Sequence, residues 1–299
     1  MAGRAAQRRR VSRYRCRMRF SKPPVPELAG RVSLVTGAAS GIGRATARLV
    51  VQRGGRVVLT DVNAAALDAV AAELGDAVVC SRAFDITDAD AVRAFASEVG
   101  EPVDIIMNVA GIATWGRVDR LTHEQWRRTV DVDLMGPIHV IEAFVPPLIA
   151  ARRPGQVVNV ASAAALIPLP WHAPYSAAKY GLRGVSEVLR HDLRRHRIGV
   201  TLVCPGGVDT GLVDTVDIAG IDREKLSSFT ARFQKHAKSA EHVAHRIADG
   251  VVNNKALVHT SLDIRLLYGL GRVAPPLQDA LLRVGHGVAV KQLERAVSR

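Results

Sequence analysis

Cysteine is scarce in this chain of 299 residues: three are present, Cys16, Cys80 and Cys204, and their spacing matches no metal-ligand pattern. That scarcity argues against a disulfide framework and points to a reduced, cytoplasmic setting. The ten histidines form no H-x-x-x-H pair, so no metal site is expected. Aromatic residues make up only 4%, so Val, Leu, Ile and Ala must fill the core, and apolar residues at 48% suffice for a large one. No run of about 18 uncharged apolar residues occurs, which argues against a membrane-spanning helix. The N-terminus lacks the apolar segment of a secretory signal.

Acids are missing from the first 22 residues, where eight Arg and one Lys lie. Those nine supply most of the formal net charge of +13, and the remainder is ordinary for an enzyme. Residues 1–26, ending in Lys22-Pro23-Pro24-Val25-Pro26, read as a basic, disordered extension, or as sequence upstream of a true start at Met18. A targeting peptide or an arm for anionic surfaces is the alternative. Specific nucleic-acid binding is not expected, because the charge argument rests on this tail alone.

After Pro26, apolar runs bounded by turn residues alternate with segments of helical period. Strands are expected near 32–36, 56–60, 77–82, 104–107, 156–160, 199–203 and 256–259. Helices are expected near 42–53, 64–74, 88–98, 122–150, 174–196 and 240–252, with Pro146-Pro147 kinking or ending the fourth. The rhythm predicts an α/β fold: a doubly wound, Rossmann-type parallel sheet with helices on both faces. Residues 27–260 form the catalytic domain, with a lid at about 207–238. Residues 261–299 form a helical extension that packs on the domain or against a second copy, with membrane-surface attachment as the alternative.

Thr36-Gly37-Ala38-Ala39-Ser40-Gly41-Ile42-Gly43 follows the first strand. Gly37 permits a tight turn, Gly41 lets the backbone approach a pyrophosphate, and Gly43 lets the next helix pack closely. The helix start at Ile42 offers free N–H groups to phosphate. Asp61, ending the second strand, suits ribose hydroxyls and repels a 2′-phosphate, and neither Ser40 nor Val62 carries a basic head. NAD is therefore expected over NADP, although Arg44 is close by. Asp85 and Ile86 are placed at the adenine, unless Thr87 or Asp88 simply caps a helix. Asn108, Ala110 and Gly111 end the fourth strand, where ligands gather.

Tyr175 and Lys179 lie four apart on a helix and so share a face. A cation beside a phenol favours its ionised form, which makes Tyr175 a usable acid or base. Ser162, after the fifth strand, can hydrogen-bond a reacting oxygen. Leu169, Trp171 and His172 sit at the expected substrate mouth; His172 reads more readily as an ordinary loop histidine, and Trp115 as a packing residue.

Together these motifs resemble the short-chain dehydrogenase/reductase family over about Gly30 to Thr260. The resemblance implies an oxidoreductase acting on a CH–OH group with NAD(P), strand order 3-2-1-4-5-6-7, and homodimers or homotetramers. It implies that Tyr175 and Lys179 also touch the cofactor, Lys179 through the ribose hydroxyls. It also places Pro205, Gly206, Val208 and Thr210 at the nicotinamide end. Two departures stand out. Val109 replaces an Asn, and Asp133 replaces the family's fourth catalytic residue, also an Asn. Asp133 keeps the main-chain carbonyl, and the resemblance lets its side chain pair with Lys179. The expected substrate is a hydrophobic secondary alcohol or ketone, with Leu212, Val213, Phe229 and Phe233 adding to an apolar wall; a broad-range carbonyl reductase fits equally. The alternative is a catalytically weak dinucleotide-binding redox sensor.

Overall fold

The computed structural model of the chain describes residues 27–209, 217–219 and 237–297. Seven strands form its main sheet: β1 (Val32–Thr36), β2 (Arg56–Asp61), β3 (Val78–Ala83), β4 (Ile105–Asn108), β5 (Gly155–Val160), β6 (Ile198–Cys204) and β7 (Leu257–His259). Their order is 3-2-1-4-5-6-7, and every pairing is parallel. Because β1, β4, β5 and β6 are buried along their whole length, they read as continuous apolar runs rather than alternating ones.

Helices cover both faces: α1 (Gly41–Gln52), α2 (Ala64–Leu74), α3 (Ala89–Glu98), α4 (His123–Val130), α5 (Gly136–Ala150), α6 (Ala173–Asp192) and α7 (Ala240–Val252). One core packs Leu49, Val50, Leu67 and Ile247 of α1, α2 and α7 on the sheet. The opposite core packs Phe95 of α3 with Phe144 and Leu148 of α5, and the Phe95 and Phe144 rings meet edge-on at 6.3 Å.

The expected single helix over 122–150 is interrupted. Between α4 and α5 lies a π-helical turn, Asp131–Met135, in which the Gly136 N–H bonds to the Asp131 carbonyl five residues back. Pro137 has no N–H to continue the α-helical ladder, so the register slips there. Pro146 and Pro147 do not end the helix, which runs on to Ala150. By length and composition 123–150 would pass for a membrane span, yet Val140, Phe144, Val145 and Leu148 are buried in the core.

Beyond β7 come α8 (Leu262–Val273) and α9 (Pro275–Val297). Ile264 is buried against the loop after β5, and the ring of Tyr268 lies beneath the Arg183 guanidinium of α6. Two short parallel pairs, Thr114–Trp115 with Asp217–Ile218 and Val208–Asp209 with Lys238–Ser239, extend the carboxyl edge.

Asp104 knits the opposite edge. Its side chain is 1% exposed, accepts the Val32 N–H at 3.2 Å and Arg153 Nη2 at 2.6 Å, and lies 3.6 Å from Arg31. Replacing Asp104 by Ala strands the Val32 N–H and both guanidinium partners. The expected loss is about 2–4 kcal/mol of stability, read as a lower denaturant midpoint with an unchanged slope.

Candidate active site

The glycine-rich loop is closed tightly around its own backbone. Gly37 and Gly41 have φ of 68° and 48°, the left-handed region in which side chains are strained. A Cβ on Gly43 would stand 1.9 Å from the Gly37 carbonyl oxygen, and one on Gly37 would stand 2.8 Å from Ala110 Cα. Thr36 Oγ1 accepts the N–H groups of Val109 and Ala110, both at 3.0 Å, which fixes the end of β4 against the loop. Asp61 Oδ2 accepts the Ala39 N–H at 3.0 Å, and its Oδ1 accepts that of Asn63 at 2.9 Å. No side chain caps the start of α1, so its first N–H groups remain available to an anion.

These elements border a groove of about 740 Å³ lined by Gly37, Ser40, Gly41, Ile42, Gly43, Asp61, Asp85, Ile86, Ala110 and Gly111, among others. Asp85 also accepts the Thr87 N–H at 2.9 Å, while Asp88 caps α3. Thr36 and Asn108 do not line the groove. Asn108 donates to Asn159 Oδ1 at 2.9 Å beneath the wall it supports. The far wall holds residues that sequence reasoning did not single out: Glu124, Arg127, Arg128, Asp131 and Val132 on α4 and the π turn. As a polar helix surface they carried no signal; only the fold brings them across from Asp85.

Lys179 stands where the groove ends. Gly111 leaves space for its ammonium, since a Cβ there would lie 3.3 Å from Nζ and 2.9 Å from Asp133 Oδ1. The ammonium donates to the Val160 carbonyl at 3.3 Å and pairs with Asp133 Oδ2 at 3.6 Å. Asp133 is wholly buried, and its Oδ1 accepts the Ile112 N–H at 2.8 Å. Tyr175 lies one turn before Lys179, its ring centroid 5.5 Å from Nζ, and the nearby Ser162 hydroxyl favours its phenolate. Ser162 Oγ also accepts the Ala164 N–H at 3.1 Å, which orients it.

Burial pushes the Tyr175 phenol above its usual value; Lys179 opposes that push and Asp133 adds to it. Burial alone would lower the Lys179 ammonium, but the Asp133 carboxylate and the Tyr175 phenol reverse the direction. For Asp133, burial raises the carboxyl against the pull of Lys179. Cys204, beneath Ser162, is pushed up to about 12 by burial and stays a thiol.

The mouth is aromatic. His172 stacks on Trp115 at 4.5 Å and meets the Tyr175 ring edge-on at 6.3 Å. Its Nδ1 lies 2.6 Å from the Pro170 carbonyl, so that nitrogen carries the proton, and burial keeps the ring uncharged. Trp171 adopts φ 64°, rare for a bulky side chain, and its carbonyl accepts the Gly116 N–H at 2.8 Å. Leu169 packs on the cluster around Ile264. Pro205 accepts the Ala163 N–H, Gly206 donates to Thr260 Oγ1 at 3.3 Å, and Val208 is buried. Thr210, Leu212, Val213, Phe229 and Phe233 lie outside the described residues.

Residues 31–219 match the family described as short chain dehydrogenase. The chain belongs to this family. Over 265 residues it is 34% identical to Putative oxidoreductase SadH of Mycobacterium tuberculosis, covering 86% of this chain and 95% of that one. It is also 34% identical to Probable oxidoreductase EphD of the same organism, but spans only 43% of that longer protein. Among solved structures, a short chain dehydrogenase/reductase from Burkholderia phymatum in complex with NAD superposes with a TM-score of 0.77 at 28% identity, covering 85% of this chain and 96% of that one. This short-chain dehydrogenase is similar to proteins named as oxidoreductases. Its glycine cradle, free helix start and groove fit a dinucleotide.

The cradle gives a direct test. Gly43→Ala forces a methyl group onto the Gly37 carbonyl. Dinucleotide affinity should fall by about tenfold or more, measured by fluorescence titration, with the circular dichroism spectrum unchanged.

Proposed function

We propose that this short-chain dehydrogenase interconverts a hydrophobic secondary alcohol and its ketone, with Tyr175 as general acid and base. The observation that carries the reading is the cluster of Ser162, Tyr175 and the buried Lys179, abutting the dinucleotide groove through Gly111. A nicotinamide dinucleotide, when bound, supplies the carbon that takes or gives the hydride. The protein does the rest. In oxidation, the Tyr175 phenolate takes the hydroxyl proton of the alcohol while Ser162 donates a hydrogen bond to the same oxygen. In reduction, the Tyr175 phenol gives its proton to the carbonyl oxygen. The Lys179 charge stabilises the phenolate in either direction, and its ammonium would hold ribose hydroxyls.

The apolar character of the substrate is argued from Trp115, Trp171, His172 and Leu169 around the mouth, with His172 uncharged. Asp61 supports NAD over NADP: its carboxylate lines the groove beside Val62 and would repel a 2′-phosphate. The relative solved with NAD agrees with that preference.

Tyr175→Phe should lower kcat by about 10²–10⁴-fold with dinucleotide binding retained, followed as reduced-nicotinamide absorbance on a panel of secondary alcohols. Full turnover in that variant would overturn the assignment. Asp61→Ala should lower the ratio of kcat/KM with NAD to that with NADP by about tenfold or more, measured with both cofactors on one substrate.

A further inference from the structure

The Lys179 ammonium has an uncommon neighbour. Asp133 stands where the family places an uncharged Asn, and the π turn aims its carboxylate inward. One oxygen, Oδ1, accepts the Ile112 N–H at 2.8 Å, a bond an amide oxygen could make equally well. The other, Oδ2, has no hydrogen-bond donor within reach and lies 3.6 Å from Lys179 Nζ. The charge on Asp133 is thus surplus to the bond that seats the side chain, and it is directed at the cation that assists Tyr175.

We propose that the Asp133 carboxylate is a standing counter-ion for Lys179 that weakens Tyr175 as a base, so that at neutral pH the site is better suited to giving a proton to a carbonyl than to taking one from an alcohol. The inference rests on the role given to Tyr175 above and adds a direction to it. Asp133 is a positioning and tuning residue; nothing places it on the reacting atoms.

Among the described residues, the groups that face Lys179 and Tyr175 can be named. α6 supplies both residues. The loop after β4 supplies Gly111 and the Ile112 N–H, and the end of β5 supplies the Val160 carbonyl and the Ser162 hydroxyl. β6 supplies the Cys204 thiol, uncharged because burial pushes it up to about 12. The mouth supplies His172, kept neutral by burial. Among the described residues Asp133 is therefore the one negative charge named around the pair. Asp133 and Lys179 are buried, so the Asp133 charge is weakly screened at this range, and it cancels part of the field that Lys179 exerts on the half-buried phenol. The phenol then holds its proton through neutral pH, where reduction needs it and oxidation must first lose it.

The test is Asp133→Asn, which keeps an acceptor for the Ile112 N–H and removes the charge. Phenolate absorbance is followed against pH in the full chain, with and without Tyr175→Phe in the same background, so that the difference isolates this one of four tyrosines. The Tyr175 midpoint should fall in the Asn variant. With NAD and 1-phenylethanol, kcat/KM for oxidation at pH 7 should rise by about threefold or more, and the rising limb of its pH profile should move to lower pH. Asp133→Ser should move both readouts the same way, and it decides the matter if the Asn variant does not fold. An unchanged or higher Tyr175 midpoint in the folded variant overturns the inference. Turnover that survives Tyr175→Phe overturns the proposed function instead, and the phenol titration still reports on Asp133.

Discussion

A positive charge buried at the carboxyl edge of a parallel sheet organises this molecule. Lys179 is almost fully enclosed, and an isolated ammonium in such a place would cost several kcal/mol. The fold offsets that cost with a carbonyl from the end of β5 and a carboxylate from a π turn. Room for the charge comes from Gly111, which leaves its side-chain space to Nζ and Asp133. The π turn, the end of β4 and the start of α6 are thereby tied to one point. The half-buried phenol that shares this point is consequently held in a field set by two opposite charges.

The groove obeys a second constraint, one of close approach. Gly37, Gly43 and the end of β4 meet so tightly that no Cβ fits at either glycine. Asp61 and Thr36 then hold the loop with three hydrogen bonds to backbone N–H groups at 3.0 Å. Because all seven strands are parallel, their carboxyl ends lie on one edge, and loops from β1, β2, β3 and β4 converge there. Cradle and proton-handling cluster are neighbours for that topological reason.

The C-terminal helices reach the same edge. Arg183 donates to the Ala165 carbonyl at 3.1 Å and to the Tyr268 hydroxyl at 3.0 Å, joining the Ser162 loop, α6 and α8. His286 of α9 lies 2.9 Å from the Pro168 carbonyl, beside the strained Trp171. The extension therefore braces the loop that carries the mouth residues. An exposed apolar row on it, Leu277, Leu281 and Val284, remains open to solvent in the single chain.

Local chemistry in the sequence was enough to place the seven strands, the turn glycines and the helix that carries Tyr175 and Lys179. Apolar runs, left-handed turn positions and an i, i+4 pair are properties of short segments, and the chain writes them directly. The π turn was not legible, because it depends on how Pro137 and Gly136 seat against Ile86 from β3's loop. For the same reason the prolines at 146 and 147, which looked like a helix end, proved compatible with its last turns. The α4 wall of the groove, Arg127 and Arg128 included, was equally hidden. The sequence by itself determined which residue types were available and in what order along the sheet. The family resemblance set Asp133 near Lys179, but only the tertiary structure decided the geometry, since bringing two charges 46 positions apart to 3.6 Å is a matter of packing, not of any local pattern.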